Sequence, residues 1–375
     1  MLENSFKYHL TNHWRCIDKK ILFSFFVLFF LGLFFSFSST SFLAGERLNK
    51  DYYFFFTKHL IFTFLAISVM ILISVIKTEI SLKLIFPLFI ITFVLLALVP
   101  IIGTEIKGAK RWIDLYFFRL QPIEILKPFF ILMTVKILTI KKFKNSQIKY
   151  LLSFILLCSV IILLIDQPDL GQSILLTCTW VATVFVSGVS LIYIFIFFLA
   201  FLSSLSALLY FFPEKFGYII NRLVTFFDPS QGDKFQSSSA IDAIKLGGLT
   251  GQGMGEGILK ERVPEAHTDY VIAVISEEYG SLVSIFILTI FLYISFRIVK
   301  NCFNQDNKFF KIALSSFATL LIFQTFIHAG VNINLLPATG MTLPFLSYGG
   351  SSLIGSAILA GLVLNYTRNK SYLYD

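Results

Sequence analysis

Charged residues are scarce in this sequence. They make up 14% of its 375 residues, whereas 56% are hydrophobic, and a soluble domain carries roughly 25% charged residues. A water-soluble globular protein is therefore excluded. Apolar runs of about 20 residues, the length that crosses a bilayer, recur from one end of the chain to the other. The predicted fold class is an all-α polytopic membrane protein.

Cysteine and histidine are also rare, with four and five residues. The cysteines are too scattered to form a metal motif or a disulfide framework. His267 has no second histidine at ligand spacing, which argues against zinc. No nucleophile elbow is present, which argues against a serine hydrolase. We therefore predict no metal-binding residues in the chain itself.

The apolar runs predict ten membrane-spanning helices within a single membrane-embedded domain, residues 1–375. We place them at 21–43, 52–76, 82–102, 122–140, 150–166, 172–188, 190–212, 270–297, 310–331 and 351–366. Two connections are long: 103–121, and a large extracytoplasmic loop, 213–269, between helices seven and eight. A further polar stretch, 332–350, precedes the last helix. If the spans alternate, all three lie on one face of the membrane.

The charge distribution indicates the orientation of the chain. Basic residues favour the cytoplasmic side of membrane proteins, and this places the N- and C-termini in the cytoplasm. Most acids then fall outside, so the net charge of +9 divides into +12 on the cytoplasmic face and −3 on the outer face. Attraction to anionic membrane lipid explains this charge, and no nucleic-acid partner is needed.

Basic and aromatic residues cluster in the first long connection. Its sequence, "GTEIKGAKRWIDLYFFRLQPIEILKP", contains Lys110, Arg111 and Trp112, followed by Glu124 and Lys127 on the fourth helix. Residues three apart on a helix share a face and can neutralise each other. Two interpretations remain open: an interfacial anchor with a structural ion pair, or a basic rim for a phosphate-bearing ligand.

Glycine and proline mark further turns. "DQPDLGQS", residues 166–173, predicts a turn in which Asp169 and Gly171 lead into the next helix. "GGLTGQGMGEG", residues 247–257, has no preceding strand, so a dinucleotide-binding fold is rejected. Its glycines let the backbone bend close to the membrane or a ligand. A short amphipathic surface helix is predicted before it from four apolar residues at helical spacing, namely Ala240, Ile241, Ile244 and Leu246.

Ionisable residues gather where the eighth predicted helix begins, in "RVPEAHTDYVIAVISEEYG", residues 262–280. The helix dipole keeps Asp269 ionised, whereas partial desolvation raises its pKa. A carboxylate held between these effects can accept a proton from a sugar hydroxyl. On a continuous helix, Ala273 and Ser276 lie beside Asp269 and leave room for a ligand. A helix cap or a salt-bridge partner is the alternative.

The stretch "NINLLPATGMTLPFLSYGGSS", residues 332–352, cannot form a continuous helix. It is interrupted by Pro337, Gly340, Pro344, Gly349 and Gly350. Irregular backbone at membrane depth survives only against protein or a wet cavity. The stretch is therefore either a structural re-entrant turn or one wall of a site.

Five of these motifs occur in one order across the ten spans: "GAKRWI", "QPDLGQS", "VPEAHTD", "SEEYG" and "TGMTLPFLSYGGSS". In this they resemble the RodA/FtsW family of shape, elongation, division and sporulation proteins. "PEAHTD" and Thr342 resemble the division members more than the elongation members. The family's motifs usually have Ser at the position of Ile123 and Gly at that of Tyr116, which affects details of the first connection only.

The resemblance implies a peptidoglycan glycosyltransferase that polymerises lipid II at the division septum. It implies that Asp269 is the general base of an inverting transfer, and that a class B penicillin-binding protein (FtsI-like) and other divisome proteins are partners. A divalent cation, Mg²⁺ or Mn²⁺, could share the charge of the leaving diphosphate. A lipid II flippase, an elongation polymerase and a non-catalytic scaffold are the alternatives. The predicted substrate-binding residues are Lys110, Arg111, Trp112, Glu124, Lys127, Glu261, Arg262, Glu265, His267, Thr268, Ser347, Gly349 and Gly350.

Overall fold

Helices dominate the computed structural model. It describes residues 14–40, 53–106, 109–116, 118–141, 145–211, 217, 222, 224, 226–227, 235–259 and 266–368. The helices are α1 (Lys19–Phe35, continued by a π-helical turn Ser36–Thr40), α2 (Phe54–Val75), α3 (Thr78–Ile102), α4 (Pro122–Thr139), α5 (Ser146–Asp166), α6 (Leu170–Val186), α7 (Leu191–Phe211), α8 (Phe235–Gly247), α9 (Val271–Tyr279), α10 (Ser281–Phe303), α11 (Lys308–Asn332) and α12 (Gly350–Tyr366).

The all-α membrane fold class is confirmed. Among the described residues, six helices are long and apolar enough to cross a bilayer, namely α1, α2, α3, α5, α10 and α11, and α6 and α12 are shorter apolar helices. Helices lie at the positions of all ten predicted spans. The number of membrane crossings stays a prediction, as does the single-domain assignment. Much of the predicted loop 213–269 lies outside the described residues.

The prediction of one continuous helix over 270–297 is wrong. The chain breaks at Gly280, whose φ of +84° separates α9 from α10, because a left-handed residue cannot continue a right-handed helix. The carbonyls exposed at the end of α9 are satisfied by the glycine-rich stretch 247–257. Gln252 N–H donates to Glu277 O at 2.9 Å, and Gly253 N–H donates to Glu278 O at 3.0 Å.

The glycines of this stretch permit a close backbone approach. A Cβ on Gly251 would lie 2.2 Å from Glu278 O, and one on Gly247 would lie 1.9 Å from Ser276 O. The glycine-rich backbone therefore bends against α9. The predicted amphipathic helix is confirmed as α8, but it packs on α9. The buried residues of α8 are small, namely Ser239, Ala240, Ala243 and Gly247.

A small antiparallel sheet fills the first long connection, where the sequence analysis predicted only a polar loop. Its strands are β1 (Thr104–Ile106), β2 (Ala109–Asp114) and β3 (Arg119–Leu120), in the order β1-β2-β3. Glu105 pairs with Lys110, and Ile113 with Leu120. The sheet gives β2 a fixed orientation and thereby positions Arg111.

Helices α4, α11 and α12 form the centre of the protein. α12 packs against α2 and α4, and α11 packs against α4, α6 and α10. Small residues bring these helices together, as is common in membranes. A Cβ on Gly355 would lie 2.3 Å from Glu124 O, and one on Gly361 would lie 2.8 Å from Met70 O. The irregular stretch between α11 and α12 is held over this packed centre.

Candidate functional site

Asp269 lies in a turn, not in a helix. Residues 266–270 form turns, and α9 begins at Val271 with Tyr270 as its N-cap. The helical projection that placed Ala273 and Ser276 beside Asp269 therefore does not apply, because Asp269 lies outside the helix. Ser276 is buried instead against α10, where its hydroxyl hydrogen-bonds to Ser284 at 2.7 Å.

Arg111 is held by the turn before α6. The residue is 8% exposed; its Nε donates to Gln167 O at 3.2 Å, and its Nη2 donates to Pro168 O. The Nε also lies 3.9 Å from Asp169 Oδ2. Strand β2 and the turn before α6 thus fix this guanidinium from two directions.

Asp169 does more than form the predicted turn. Its Oδ1 caps α6 by accepting the Gln172 N–H at 3.3 Å, and its side chain is only 2% exposed. Burial raises the pKa of Asp169 above its ordinary value, whereas the positive charge of Arg111 and, less strongly, that of Arg222 lower it. Two arginines therefore stabilise the charged form of a carboxylate that burial disfavours.

Gly340 lies next to both Asp269 and Arg111. A Cβ built on this glycine would lie 3.4 Å from Arg111 Nη1 and 3.6 Å from Asp269 Oδ2. The φ of Gly340 is +71°, a conformation that glycine adopts without strain. A carboxylate oxygen and a guanidinium N–H thus flank one small space, whose third side is backbone from the stretch between α11 and α12. Such a space suits a group that loses a proton while negative charge develops beside it.

Glu124 and Lys127 form the predicted ion pair. Lys127 Nζ lies 2.8 Å from Glu124 Oε2, and both side chains are buried in the protein. Lys127 also donates to Gln324 Oε1 at 3.0 Å, and Gln172 Nε2 donates to Glu124 Oε1 at 2.7 Å. Because charges removed from water need such partners, this pair is a structural network beneath the site, connected through Gln172 to Asp169.

His267, Thr268 and Ser347 lie together at the site. Ser347 Oγ donates to Thr268 O at 2.6 Å. The His267 ring packs 5.9 Å from the ring of Tyr348 and 5.8 Å from that of Phe55, measured between centroids. These contacts make the stretch before α12 a wall of the site and connect it to α2.

The remaining predicted residues are dispersed. Lys110 is exposed on β2, and Trp112 is half-buried on the same strand. Gly349 and Gly350 begin α12, where a Cβ on Gly350 would lie 2.7 Å from the Phe62 ring. Glu261, Arg262 and Glu265 lie outside the described residues. Within the ranges that the structure describes, no three His, Cys, Asp or Glu side chains are grouped to hold a metal ion.

Arg222 is a site residue that the sequence analysis missed. Its Nη1 donates to Ala338 O at 3.3 Å, in the wall that also carries Gly340. Its charge reaches Asp169 as well. No local pattern identifies this residue, because it stands alone in the long connection and is brought to the site only by folding.

Comparisons with known proteins agree on one family. The model of the FtsW/RodA/SpoVE family, described as cell cycle protein, matches residues 19–372. A relative from Wigglesworthia glossinidia brevipalpis, named probable peptidoglycan glycosyltransferase FtsW, is 36% identical over 354 residues, covering 90% of this chain and 92% of the relative. A protein of the same name from Caulobacter vibrioides is 31% identical, covering 96% and 92%.

Solved structures show the same fold. One chain of a peptidoglycan synthase complex that coordinates polymerization and crosslinking matches with a TM-score of 0.77 at 25% identity, covering 96% of this chain and 99% of that one. The rod shape determining protein RodA from Thermus thermophilus matches with a TM-score of 0.69 at 25% identity, covering 94% and 97%.

Proposed function

The chain belongs to the FtsW/RodA/SpoVE family of cell cycle proteins, and from this we propose that it is a peptidoglycan glycosyltransferase that polymerises lipid II. The observation that carries the proposal is the space over Gly340, which Asp269 Oδ2 and Arg111 Nη1 flank at 3.6 and 3.4 Å from the position of the absent Cβ. The names of the relatives at 31–36% identity support the same activity.

Asp269 acts as the general base in this reaction. Its carboxylate takes the proton from the 4-hydroxyl of the acceptor sugar, and the hydroxyl oxygen attacks the anomeric carbon of the donor's N-acetylmuramic acid. The new glycosidic bond forms as the bond to undecaprenyl diphosphate breaks, and the diphosphate leaves with the electron pair. Because the donor is α-linked and the product β-linked, one inverting displacement is sufficient, and it needs a single base.

The leaving diphosphate needs positive charge close by. Lys127, which the sequence analysis included among the substrate-binding residues, is neutralised by Glu124, so it contributes little. Arg111 has two of its nitrogens bonded to the turn before α6 and directs Nη1 towards Gly340. We assign the leaving-group role to Arg111 and Arg222, with Lys110 at the rim. A divalent cation, Mg²⁺ or Mn²⁺, bound with the diphosphate would neutralise part of its negative charge.

The chain's place in the cell follows from the same proposal. The termini lie in the cytoplasm, and the site opens on the outer face of the inner membrane at the division septum. A class B penicillin-binding protein of the FtsI type is the transpeptidase partner, which the likeness to a chain of a peptidoglycan synthase complex supports. An elongation role involves the same chemistry and is distinguished by the phenotype of depletion, which is filaments for division and round cells for elongation.

Polymerisation of lipid II by the purified protein with its partner tests the proposal. We expect Asp269→Asn to lower the rate by about 10²–10⁴-fold, the contribution of a general base. Asp114→Asn, which changes an exposed carboxylate on β2 that pairs with Arg119 at 3.8 Å, is the control and keeps the wild-type rate. The assay is run with Mg²⁺, with Mn²⁺ and with a chelator.

Two results would contradict the assignment. Normal polymerisation by Asp269→Asn would remove Asp269 as the base. Movement of lipid II across vesicles without any glycan product from the wild-type protein would favour a flippase. A scaffold predicts that cells carrying Asp269→Ala still divide, so complementation of a depleted strain separates the scaffold from the enzyme.

A further inference from the structure

Three consecutive backbone carbonyls around Asp269 are held by one wall. Tyr348 N–H donates to His267 O at 3.0 Å, and Ser347 Oγ donates to Thr268 O at 2.6 Å. The third carbonyl, that of Asp269 itself, accepts from Asn332 Nδ2 at 3.0 Å. All three donors belong to the end of α11 or to the irregular stretch that follows it. The turn that carries Asp269 is therefore attached to this wall at three successive residues, 267–269.

Both N–H groups and the oxygen of the Asn332 side-chain amide form hydrogen bonds. Its second N–H donates to His328 O at 2.8 Å, and its Oδ1 accepts the N–H of Ala273 at 3.0 Å. Asn332 is 0% exposed. Ala273 is the third residue of α9, and its N–H is one of the first four, which have no i−4 carbonyl within the helix to bond to; it donates to Tyr270 O at 3.0 Å as well as to Asn332. The N-cap residue, Tyr270, makes no side-chain cap, so Asn332 caps α9 from another helix.

We propose that Asn332 is the positioning residue for the catalytic base. One amide holds the carbonyl of Asp269 and the first turn of α9, and so fixes the peptide group that joins the base to the helix. Rotation of that peptide would swing the Asp269 carboxylate away from Arg111 and the space over Gly340. A misplacement of about 1 Å can cost about 10²-fold in rate. This inference rests on the proposed function, since it concerns the geometry of the same reaction.

The competing interpretation is that Asn332 only stabilises the fold, and the chain offers a matched control for it. Asn365 in α12 is also buried, at 2% exposed. Its Nδ2 donates to two backbone carbonyls, Ile76 O at 2.7 Å and Ile73 O at 2.9 Å. These bonds join α12 to the end of α2 and do not involve the residues of the site. Asn332→Ala and Asn365→Ala therefore each remove a buried amide that bonds two carbonyls, and only one of them is at the site.

The experiment measures kcat and KM for lipid II polymerisation by the full-length protein with its partner, together with the melting temperature of each variant in detergent. We expect Asn332→Ala to lower kcat about 10- to 100-fold per folded molecule, with KM changed less than about twofold because the residue touches no substrate. Asn365→Ala keeps kcat. Equal kcat for the two variants, or a loss in Asn332→Ala that only follows its folded fraction, overturns the proposal.

Ser347 provides a second variant if Asn332→Ala does not fold. Ser347→Ala removes the bond to Thr268 O, and Ser347→Thr keeps a hydroxyl there. We expect Ser347→Ala to lower kcat and Ser347→Thr to restore most of it, whereas wild-type kcat in Ser347→Ala overturns the proposal. Wild-type protein is assayed alongside the variants. If the wild-type protein forms no glycan, the proposed function fails. If it forms glycan and all the Asn332 and Ser347 variants match its kcat, only the positioning role fails.

Discussion

Replacing Gly340 by alanine tests whether the space between Asp269 and Arg111 receives the acceptor hydroxyl. The added methyl would lie 3.6 Å from Asp269 Oδ2 and 3.4 Å from Arg111 Nη1. These are ordinary contact distances for a carbon atom, so the methyl fits without a clash. It takes volume that a hydroxyl oxygen needs, since that oxygen must come within about 2.7 Å of the carboxylate.

The cost to stability is modest and can be separated from the loss of activity. Alanine at a φ of +71° pays about 1–2 kcal/mol for the left-handed conformation. Gly188→Ala is the control, because Gly188 also has a positive φ, +99°, but its Cβ would have no atom within 4 Å. The two variants should therefore lose similar stability.

We expect Gly340→Ala to lower kcat/KM for lipid II polymerisation about 100-fold, which corresponds to about 2.7 kcal/mol of transition-state stabilisation. Gly188→Ala should retain wild-type kcat/KM. Melting temperatures in detergent are measured for both. If Gly340→Ala polymerises lipid II as fast as Gly188→Ala, the acceptor hydroxyl does not bind over Gly340 and the geometry of the mechanism is wrong.

Two further predictions concern stability. Glu124→Gln or Lys127→Met alone should lower the free energy of unfolding by about 3–5 kcal/mol, because each leaves a buried charge without its partner. The double variant should recover part of this loss. Strictly additive changes in a thermal double-mutant cycle would show that the pair is not coupled. At the N-cap of α1, burial alone would raise the pKa of Asp18, but the hydrogen bond from Asn301 and the charge of Arg297 hold this pKa below its ordinary value. A carboxyl group whose pKa is lowered by folding stabilises the fold at pH values above its unfolded-state pKa. This stabilisation is lost as the pH falls through its folded-state pKa. Asp18→Asn should therefore lower the melting temperature most at about pH 7, and progressively less as the pH falls below the unfolded-state pKa; a loss that does not change with pH would contradict the electrostatic explanation.

Much of the architecture could be predicted from the sequence. Apolar runs of bilayer length identify helices by composition alone, because hydrocarbon excludes unpaired backbone groups and leaves the helix as the available local structure. The Glu124–Lys127 pair was also predictable, because two residues three apart on a helix must share a face. The order of short motifs pointed to the family and to Asp269.

Tertiary structure decided what these local patterns leave open. The break at Gly280 depends on the glycine-rich backbone that bonds to the end of α9. Gly340 and Asn332 reach Asp269 from other parts of the chain, and Arg222 reaches Ala338 in the same wall as Gly340. Local sequence fixes hydrogen bonds and faces over a few residues. The packing of the helices decides which distant carbonyl, carboxylate or guanidinium a residue contacts. The close contacts of Gly355 and Gly361 show that this packing depends on how closely the backbones approach rather than on any motif.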